Sequence, residues 1–534
     1  MLAADTRSTF PFSRAAHLLL MANYYDLEPH EQQRRAADRL IRYLREYVGP
    51  YHPYLRRLYR EKGVDLASLR TADDLRRLPI VEKDVLRADP TLFILQPKFP
   101  GVPGPPAGYE TAPIARGKLL KYVWEALIDR PRDWSRPVRR SNLRERARRR
   151  GLAEWLPIHF HVSTGSTGNP TPSTYTHYEL TKVIPEVVSL MILPKKVDPE
   201  EPYFDWAERA LNIFPGAPHL AFFTPVLAKA AIGTSTFDTF GGNVIPTDRQ
   251  ISIFAAGGFS SLTAVPSYLV HWLRRALVLQ QEGAIGPLSN FKRVAVGAEP
   301  MSESLRDYIR SLAIQLGAHP RFRIYQSLGM TEMKWPALEC CEASGIHLNP
   351  KFFYWEILHP ETREPVAPGE PGVLVFSHIG WRGTVLVRYW TGDLIKGGMR
   401  WDRCPHCGYT FPRLFPPICR AVKDFTKIKG TRVDLSSLIE AIRDTPGVRN
   451  FQVSIETESD QQYARDVLAV NVVAEQGRPQ ADIEAKIQER LKYYTEVSAD
   501  RVVFEPNEAE LEKRLFARNG IKAEYVVERR AEHV

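Results

Sequence analysis

The chain is poor in cysteine, with five in 534 residues: Cys340, Cys341, Cys404, Cys407 and Cys419. So few cannot staple a fold of this size, which excludes a disulfide-framework protein and leads us to expect a reducing, cytoplasmic setting. Long hydrophobic runs are also missing. The longest near the start, residues 15–22, is interrupted by His17 and falls far short of the ~20 residues of a membrane span. A signal peptide there would lack a small-residue cleavage site, so a buried N-terminal helix is expected and no membrane partner. No internal repeat is visible. Hydrophobic residues at 44% and charged residues at 25% exclude wholesale disorder and leave ample material for a core.

Acidic charge is in slight deficit: 62 Asp+Glu stand against 72 Lys+Arg, a net charge of +10. The excess sits in one place. Residues 111–150 hold 13 Lys+Arg and four acids, a balance of +9 that leaves +1 for the other 494 residues. The basic character therefore belongs to one insert. Its Arg-rich end, 143–152, reads as a solvated surface helix, and the insert as a surface elaboration or a docking site for a protein partner. It has few aromatics and no nucleic-acid motif, so nucleic acid is not expected.

An amphipathic helix is expected over 31–48, with Ala37, Leu40, Ile41, Leu44 and Val48 on one face and Gly49-Pro50 as its stop. A Pro/Gly-rich stretch, 97–113, reads as a loop. From Trp155 onward, short apolar runs (160–162, 261–265, 291–296, 322–325) alternate with polar loops and helices, the pattern of an α/β domain with ligand loops at strand ends. Strands are expected at 373–377 and 384–390. Beyond Gly430 the pattern is that of a small α+β domain. The expected divisions are 1–92, an N-terminal helical part; 93–154, the Pro- and Arg-rich insert; 155–422, the core; and 423–534, the small domain.

Three loops carry chemistry. Ser163-Thr164-Gly165-Ser166-Thr167-Gly168-Asn169 places glycines and hydroxyls in a tight turn after a strand, where backbone N–H groups suit a phosphate. The Gly-Lys-Ser/Thr ending of a Walker loop is absent, and alone the stretch is equally an ordinary turn. Gly329-Met330-Thr331-Glu332 sets a hydroxyl beside a carboxylate, suited to phosphate and Mg²⁺ or else to a helix cap. In Tyr389-Trp390-Thr391-Gly392-Asp393, the aspartate after a glycine turn could accept ribose hydroxyls or simply close a turn.

Taken in order, these loops resemble the adenylate-forming (AMP-binding) synthetase superfamily, closest to its phenylacetate-CoA ligase family. Gly297-Ala298-Glu299-Pro300 is similar to that family's adenine-side motif, and stretches at 64–79 and 360–372 are similar as well. The resemblance covers nearly the whole chain except about 93–155. It implies a large multi-sheet α/β adenylate-forming domain with a small mobile α+β C-terminal domain. It further implies ATP-dependent activation of a carboxylic acid to an acyl-adenylate, then transfer to coenzyme A, with ATP, Mg²⁺ and coenzyme A as cofactors. Residues 163–168 would bind phosphate, Thr331 and Glu332 would meet phosphate and Mg²⁺, and Asp393 would hold the ribose. Lys522, in Arg518-Asn519-Gly520-Ile521-Lys522-Ala523, would be the catalytic lysine, with Lys513 a weaker competitor. Lys423 would be the hinge on which the small domain turns between half-reactions.

Three positions depart from the family and bear on ATP affinity: Asn169 where a lysine is common, Leu328 where an aromatic is common, and Ala421 where an arginine is expected. The acid is expected to be aromatic or apolar, with Phe222, Phe223, Pro266 and Tyr268 as pocket candidates. Cys404 and Cys407 form a two-residue knuckle; with Cys340 and His347 they would close a four-ligand structural zinc site, as in some members of this branch. Cys341 and His406 are possible substitutes, and Cys419 reads as a buried apolar residue. Two other readings stay open. The acyl group could pass to an amine, a hydroxyl or a carrier protein, or the chain could be a non-catalytic nucleotide- or nucleic-acid-binding protein using the basic insert. A homodimer is compatible with the sequence.

Overall fold

The computed structural model describes residues 24–128, 143–162, 171–192, 208–216, 220–232, 235–420, 425–428, 431–460, 463–475, 477–517 and 523–529. The fold is α/β and built on several sheets. In the largest sheet, five parallel strands run in the order Ser235–Asp238, Arg209–Asn212, Ser261–Ala264, Arg293–Val296 and Arg323–Leu328. Four antiparallel strands extend it: Ala337–Glu339, Ile346–His347, Pro412–Leu414 and Met399–Trp401. Helices Thr247–Ala256, Pro266–Gln281 and Glu303–Gln315 cover the parallel part. Leu262, Val294 and Ile324 of the strands are buried with Trp272 and Ile309 of the helices. Along Ser261–Ala264 and Arg293–Val296 every second residue is buried, which is why the apolar stretches were readable.

A second sheet is antiparallel: Phe353–Leu358, Gly372–His378, Tyr389–Ile395 and Ile418–Arg420. The strand expected at 384–390 begins only at Tyr389. Before it, Val385 N donates to Phe93 O at 2.7 Å, and Val81 N to Arg388 O at 3.0 Å. Arg388 has φ 47° and buries its guanidinium on Glu356 and on the carbonyls of Arg76 and Leu78. These contacts with the N-terminal part override local strand propensity.

Helix Pro29–Tyr43 buries Ala36, Ala37, Leu40 and Ile41. It does not stop at Gly49-Pro50. A π-turn over Leu44–Val48 and a short turn, Gly49–Tyr51, carry the chain on until His52. Gly49 permits the passage, because a Cβ there would lie 2.7 Å from Leu66 Cδ1.

The basic segment holds an anchor that its charge pattern did not announce. Helices Arg116–Ile128 and Leu143–Trp155 expose one face, as at Trp124 and Arg149, but bury Tyr122, Ala126, Ala147 and Gly151. Trp155 is fully buried. The Glu154 carboxylate accepts from Tyr122 Oη at 2.7 Å and Arg382 Nε at 2.8 Å, and pairs with Lys118 Nζ at 3.2 Å. One end of the Arg-rich helix is thus an anchor, and its charge pattern alone could not reveal it.

Beyond the hairpin Phe425–Ile428 and Thr431–Asp434, the C-terminal part has its own four-stranded sheet. Its order is Arg501–Phe504, Tyr463–Ala474, Val448–Asp460 and Val526–Arg529. Ile442, Val453, Val470, Ile483 and Leu491 form a separate core there.

Candidate functional site

Two of the loops and one pocket candidate follow neighbouring parallel strands at their C-terminal ends, where open α/β sheets bind ligands. Pro266 follows Ser261–Ala264, Gly297 follows Arg293–Val296, and Gly329 follows Arg323–Leu328. Gly297 is required by close approach: a Cβ would lie 2.3 Å from Ser327 Oγ, which donates to Val296 O at 2.9 Å. Ala298 takes φ 71°. The Glu299 carboxylate accepts from Ser267 N at 3.0 Å and Ser267 Oγ at 2.8 Å. It therefore caps the helix Pro266–Gln281 and fastens the 297–300 loop to it, a role akin to an N-cap.

Thr331 and Glu332 lie in a short 3₁₀ turn, Thr331–Met333. Glu332 is buried; Tyr389 Oη donates to its Oε1 at 3.3 Å, and Lys83 Nζ pairs with it at 3.1 Å. Lys83 opens the helix Lys83–Ala88 of the N-terminal part. No motif reading linked residues 83 and 332. Its only signal was its place just after the Leu78-Pro79 stretch similar to the family.

Behind this turn, Lys334 takes φ 66° and sends its ammonium inward. Its Nζ lies 4.7 Å from the Tyr175 ring centroid and 4.6 Å from that of Trp381. Tyr175 Oη donates to Lys334 O at 2.9 Å. Tyr175 belongs to Pro172–Thr176, which pairs antiparallel with Pro157–Val162. Ser163–Gly168, expected to bind phosphate, and Asn169 come between these two strands in the chain and lie outside the described residues; Ala421, Lys423 and Lys522 lie outside them as well.

Asp393 sits in Tyr389–Ile395, opposite Arg420, and its N donates to Thr391 Oγ1 at 3.0 Å. Gly392, just before it, has φ 75°. Leu328 ends its strand and packs against the main core.

Of the pocket candidates, Phe222 and Phe223 are in the first turn of Leu220–Ile232. Phe223 stacks on His159 at 4.6 Å and meets His161 edge-on at 4.6 Å. The two imidazoles, missed in the sequence, face each other with Nε2 atoms 3.3 Å apart on the strand leading into residue 163. Partial burial lowers the His159 pKa. Phe222 stacks on Phe240 at 4.7 Å. Pro266 and Tyr268 are buried at the start of their helix, and the Tyr268 hydroxyl lies 3.0 Å from Thr247 Oγ1. No ring contact joins Tyr268 to Phe222 or Phe223 among the described residues.

A second cluster stands apart. One donor atom each from Cys340, His347, Cys404 and Cys407 lie within 4.8 Å of one another. Cys340 Sγ is 3.8 Å from Cys404 Sγ, and Cys407 Sγ is 3.5 Å from His347 Nε2. Zn–S bonds of ~2.3 Å and Zn–N bonds of ~2.0 Å in a tetrahedron put donors roughly 3.5–3.8 Å apart, so the spacing fits zinc. His347 Nδ1 faces Gly345 O at 3.0 Å, which leaves Nε2 as the donor nitrogen. Cys341 and His406 are not in this cluster; the Cys341 thiol donates to Glu342 O at 3.5 Å. Cys419 is only half-buried, with its thiol on Leu394 O at 3.9 Å. The four residues tie strands Ala337–Glu339 and Ile346–His347, inside the nine-stranded sheet, to the turn between Met399–Trp401 and Pro412–Leu414. The strand carrying Asp393 lies in the other sheet.

No protein-family model matches the chain. Among curated proteins, it is 26% identical over 443 residues to a phenylacetate-coenzyme A ligase of Thermus thermophilus, covering 80% of each chain. It is 25% identical over 368 residues to a phenylacetate-coenzyme A ligase of Aromatoleum evansii, covering 65% of this chain and 74% of that one. Among solved structures, it matches 2-hydroxyisobutyryl-CoA ligase with 2-HIB-AMP in the postadenylation state at a TM-score of 0.67 and 17% identity, over 95% of this chain and 91% of that one. The same ligase with 2-HIB-AMP and CoA in its thioesterification state gives 0.56 and 18%, over 95% and 92%. These structural matches carry the fold.

Proposed function

We propose that this member of the adenylate-forming synthetase superfamily, akin to the phenylacetate-CoA ligases, is an AMP-forming acid–CoA ligase. The observation that carries the proposal is the meeting of loops 297–300 and 329–332 at neighbouring strand ends, with the 157–176 hairpin held against the second of them. In this reading the acid's carboxylate attacks the α-phosphate of ATP and pyrophosphate leaves. The thiol of coenzyme A then attacks the acyl carbon and AMP leaves. The chain's task is to hold the phosphates and neutralise the charge that builds up between them.

Residues 163–168 and the backbone of 297–300 cradle the nucleotide, and Asp393 holds the ribose. Thr331 presents its hydroxyl and Glu332 its carboxylate to the phosphate side. Mg²⁺ would be held through Glu332, whose buried carboxylate already attracts a cation, and would supply charge neutralisation. Lys83, on the same carboxylate, supplies near the phosphates the positive charge that Asn169 lacks. Lys522 reaches the adenylate-forming site from the small domain, which turns about Lys423. Phe222 and Phe223 favour an aromatic or apolar acid. Zinc, held by Cys340, His347, Cys404 and Cys407, would be structural, since four protein donors leave no open position. A cytoplasmic location fits three such cysteine donors kept reduced.

The test is acid-dependent ATP–pyrophosphate exchange over a panel of carboxylic acids, followed by thioester formation with coenzyme A. Exchange and thioester with at least one aromatic or apolar acid are expected. Exchange without thioester would redirect the acyl group to another acceptor, and no exchange with any acid would refute ligase activity. Lys522→Ala is expected to abolish exchange while sparing thioester formation from a preformed adenylate.

A further inference from the structure

Arg274 lies within helix Pro266–Gln281 and is only 8% exposed. Its guanidinium is shared between the two parts of the chain. On the large part, Nε donates to Tyr308 Oη at 2.8 Å. On the small part, Nη1 pairs with Glu508 and lies 3.5 Å from Glu512, both on helix Glu508–Phe516. Nη2 donates to Arg449 O at 3.1 Å. One turn earlier, His271 Nδ1 lies 2.9 Å from Glu512 Oε2. The Phe516 ring meets those of His271 at 5.7 Å and Tyr268 at 6.3 Å. Arg449 adds a pair to Glu508 at 2.9 Å.

A buried arginine cannot give up its carboxylates cheaply, because the charge left behind is uncompensated. The contacts therefore form or part as a unit when helix Glu508–Phe516 meets or leaves helix Pro266–Gln281. The other end of this linkage is functional. The N-terminus of the 266–281 helix is capped by Glu299, within the 297–300 loop. Lys522 stands six residues beyond Phe516, a tether that reaches at most about 20 Å. Docking helix 508–516 thus restricts where Lys522 can go.

We propose that Arg274, assisted by His271, is a positioning residue for the adenylate-forming half-reaction. It clamps Glu508 and Glu512, so that Lys522 is delivered to the nucleotide loops, and the clamp parts before the thiol step. This rests on the reading that Lys522 serves adenylation. Arg274 touches no reacting atom; it acts through the placement of the small domain.

The experiment compares full-length wild type, Arg274→Gln, Arg274→Lys and the double variant Glu508→Gln/Glu512→Gln in each half-reaction. For Arg274→Gln and the double variant, kcat of ATP–pyrophosphate exchange is expected to fall about tenfold or more, as misplacement of a reacting group does. KM for ATP should stay within about twofold, and thioester formation from a preformed adenylate should be unchanged or faster. Arg274→Lys should recover part of the exchange. Equal loss in both half-reactions, or undiminished exchange, would overturn the proposal. Small-angle scattering of the substrate-free proteins reads the clamp without catalysis: a larger radius of gyration in the Gln variants is expected, and identical profiles would overturn it. If wild type shows no exchange with any acid, the ligase reading fails, while scattering still decides the clamp.

Discussion

Lys334 Nζ lies 2.6 Å from Glu179 Oε1, and both side chains are wholly buried. The pair joins the turn that holds Glu332 to the segment that follows the 157–176 hairpin. Glu179 also accepts from the backbone N of Thr176 at 2.6 Å, Arg382 at 2.8 Å and Gly383 at 3.1 Å. Breaking one side of such a pair leaves a buried charge without compensation. Lys334→Met is expected to cost about 3 kcal/mol of stability. Glu179→Gln/Lys334→Met should cost less than the sum of the single variants. Urea unfolding of the three variants checks both statements.

Glu154 makes an acid-sensitive anchor. Burial raises its pKa, but Arg382 and Lys118 outweigh that, with Tyr122 helping, and hold it at about 2. The unfolded value is roughly 4.3. The folded pKa is the lower one, so this stability is present above pH ~4.3 and is lost as pH falls towards 2. Glu154→Gln is expected to lose about 3 kcal/mol at pH 7, and the gap to wild type should close near pH 2. Denaturant midpoints across that pH range decide it.

Lys83 pairs with Glu332 across 249 residues of sequence. If it supplies charge to the phosphate side, Lys83→Met should reduce kcat/KM for ATP in the exchange reaction by about tenfold or more. KM for the acid should move far less. An equal change in both would make Lys83 a prop for the fold only.

Zinc should be stoichiometric with the chain. Metal analysis of purified protein is expected to find about one zinc per chain, falling well below that in Cys404→Ser. A chelator strong enough to remove the metal should lower the melting temperature of wild type but not of Cys404→Ser. Unchanged zinc content in the variant would place the metal elsewhere.

What could be read ahead of the structure were features set by near neighbours. The apolar runs at 261–265 and 291–296 became parallel strands in which every second residue is buried. Gly297 and Gly329 marked loops where the side chains of Ser327 and Pro336 leave little room for a Cβ. Cys404 and Cys407 announced themselves by a spacing that only a tight turn makes useful. The strand placed at 384–390 failed because Arg388 answers to Glu356 and the N-terminal carbonyls, not to its neighbours. The anchor at the end of the basic helix was missed for the same reason, since Glu154 finds Arg382 only in the folded chain.

The α/β class and the residue set suited to zinc were already legible in the chain. These rest on local backbone geometry and on residue types that have few alternative uses. Folding of the whole chain was needed to show that Lys83 meets Glu332, that Lys334 is buried on Glu179 and that Arg274 pairs with Glu508. Charge pairing across hundreds of residues leaves no local pattern. An ammonium and a carboxylate attract by distance in space, and the packing of the intervening chain sets that distance.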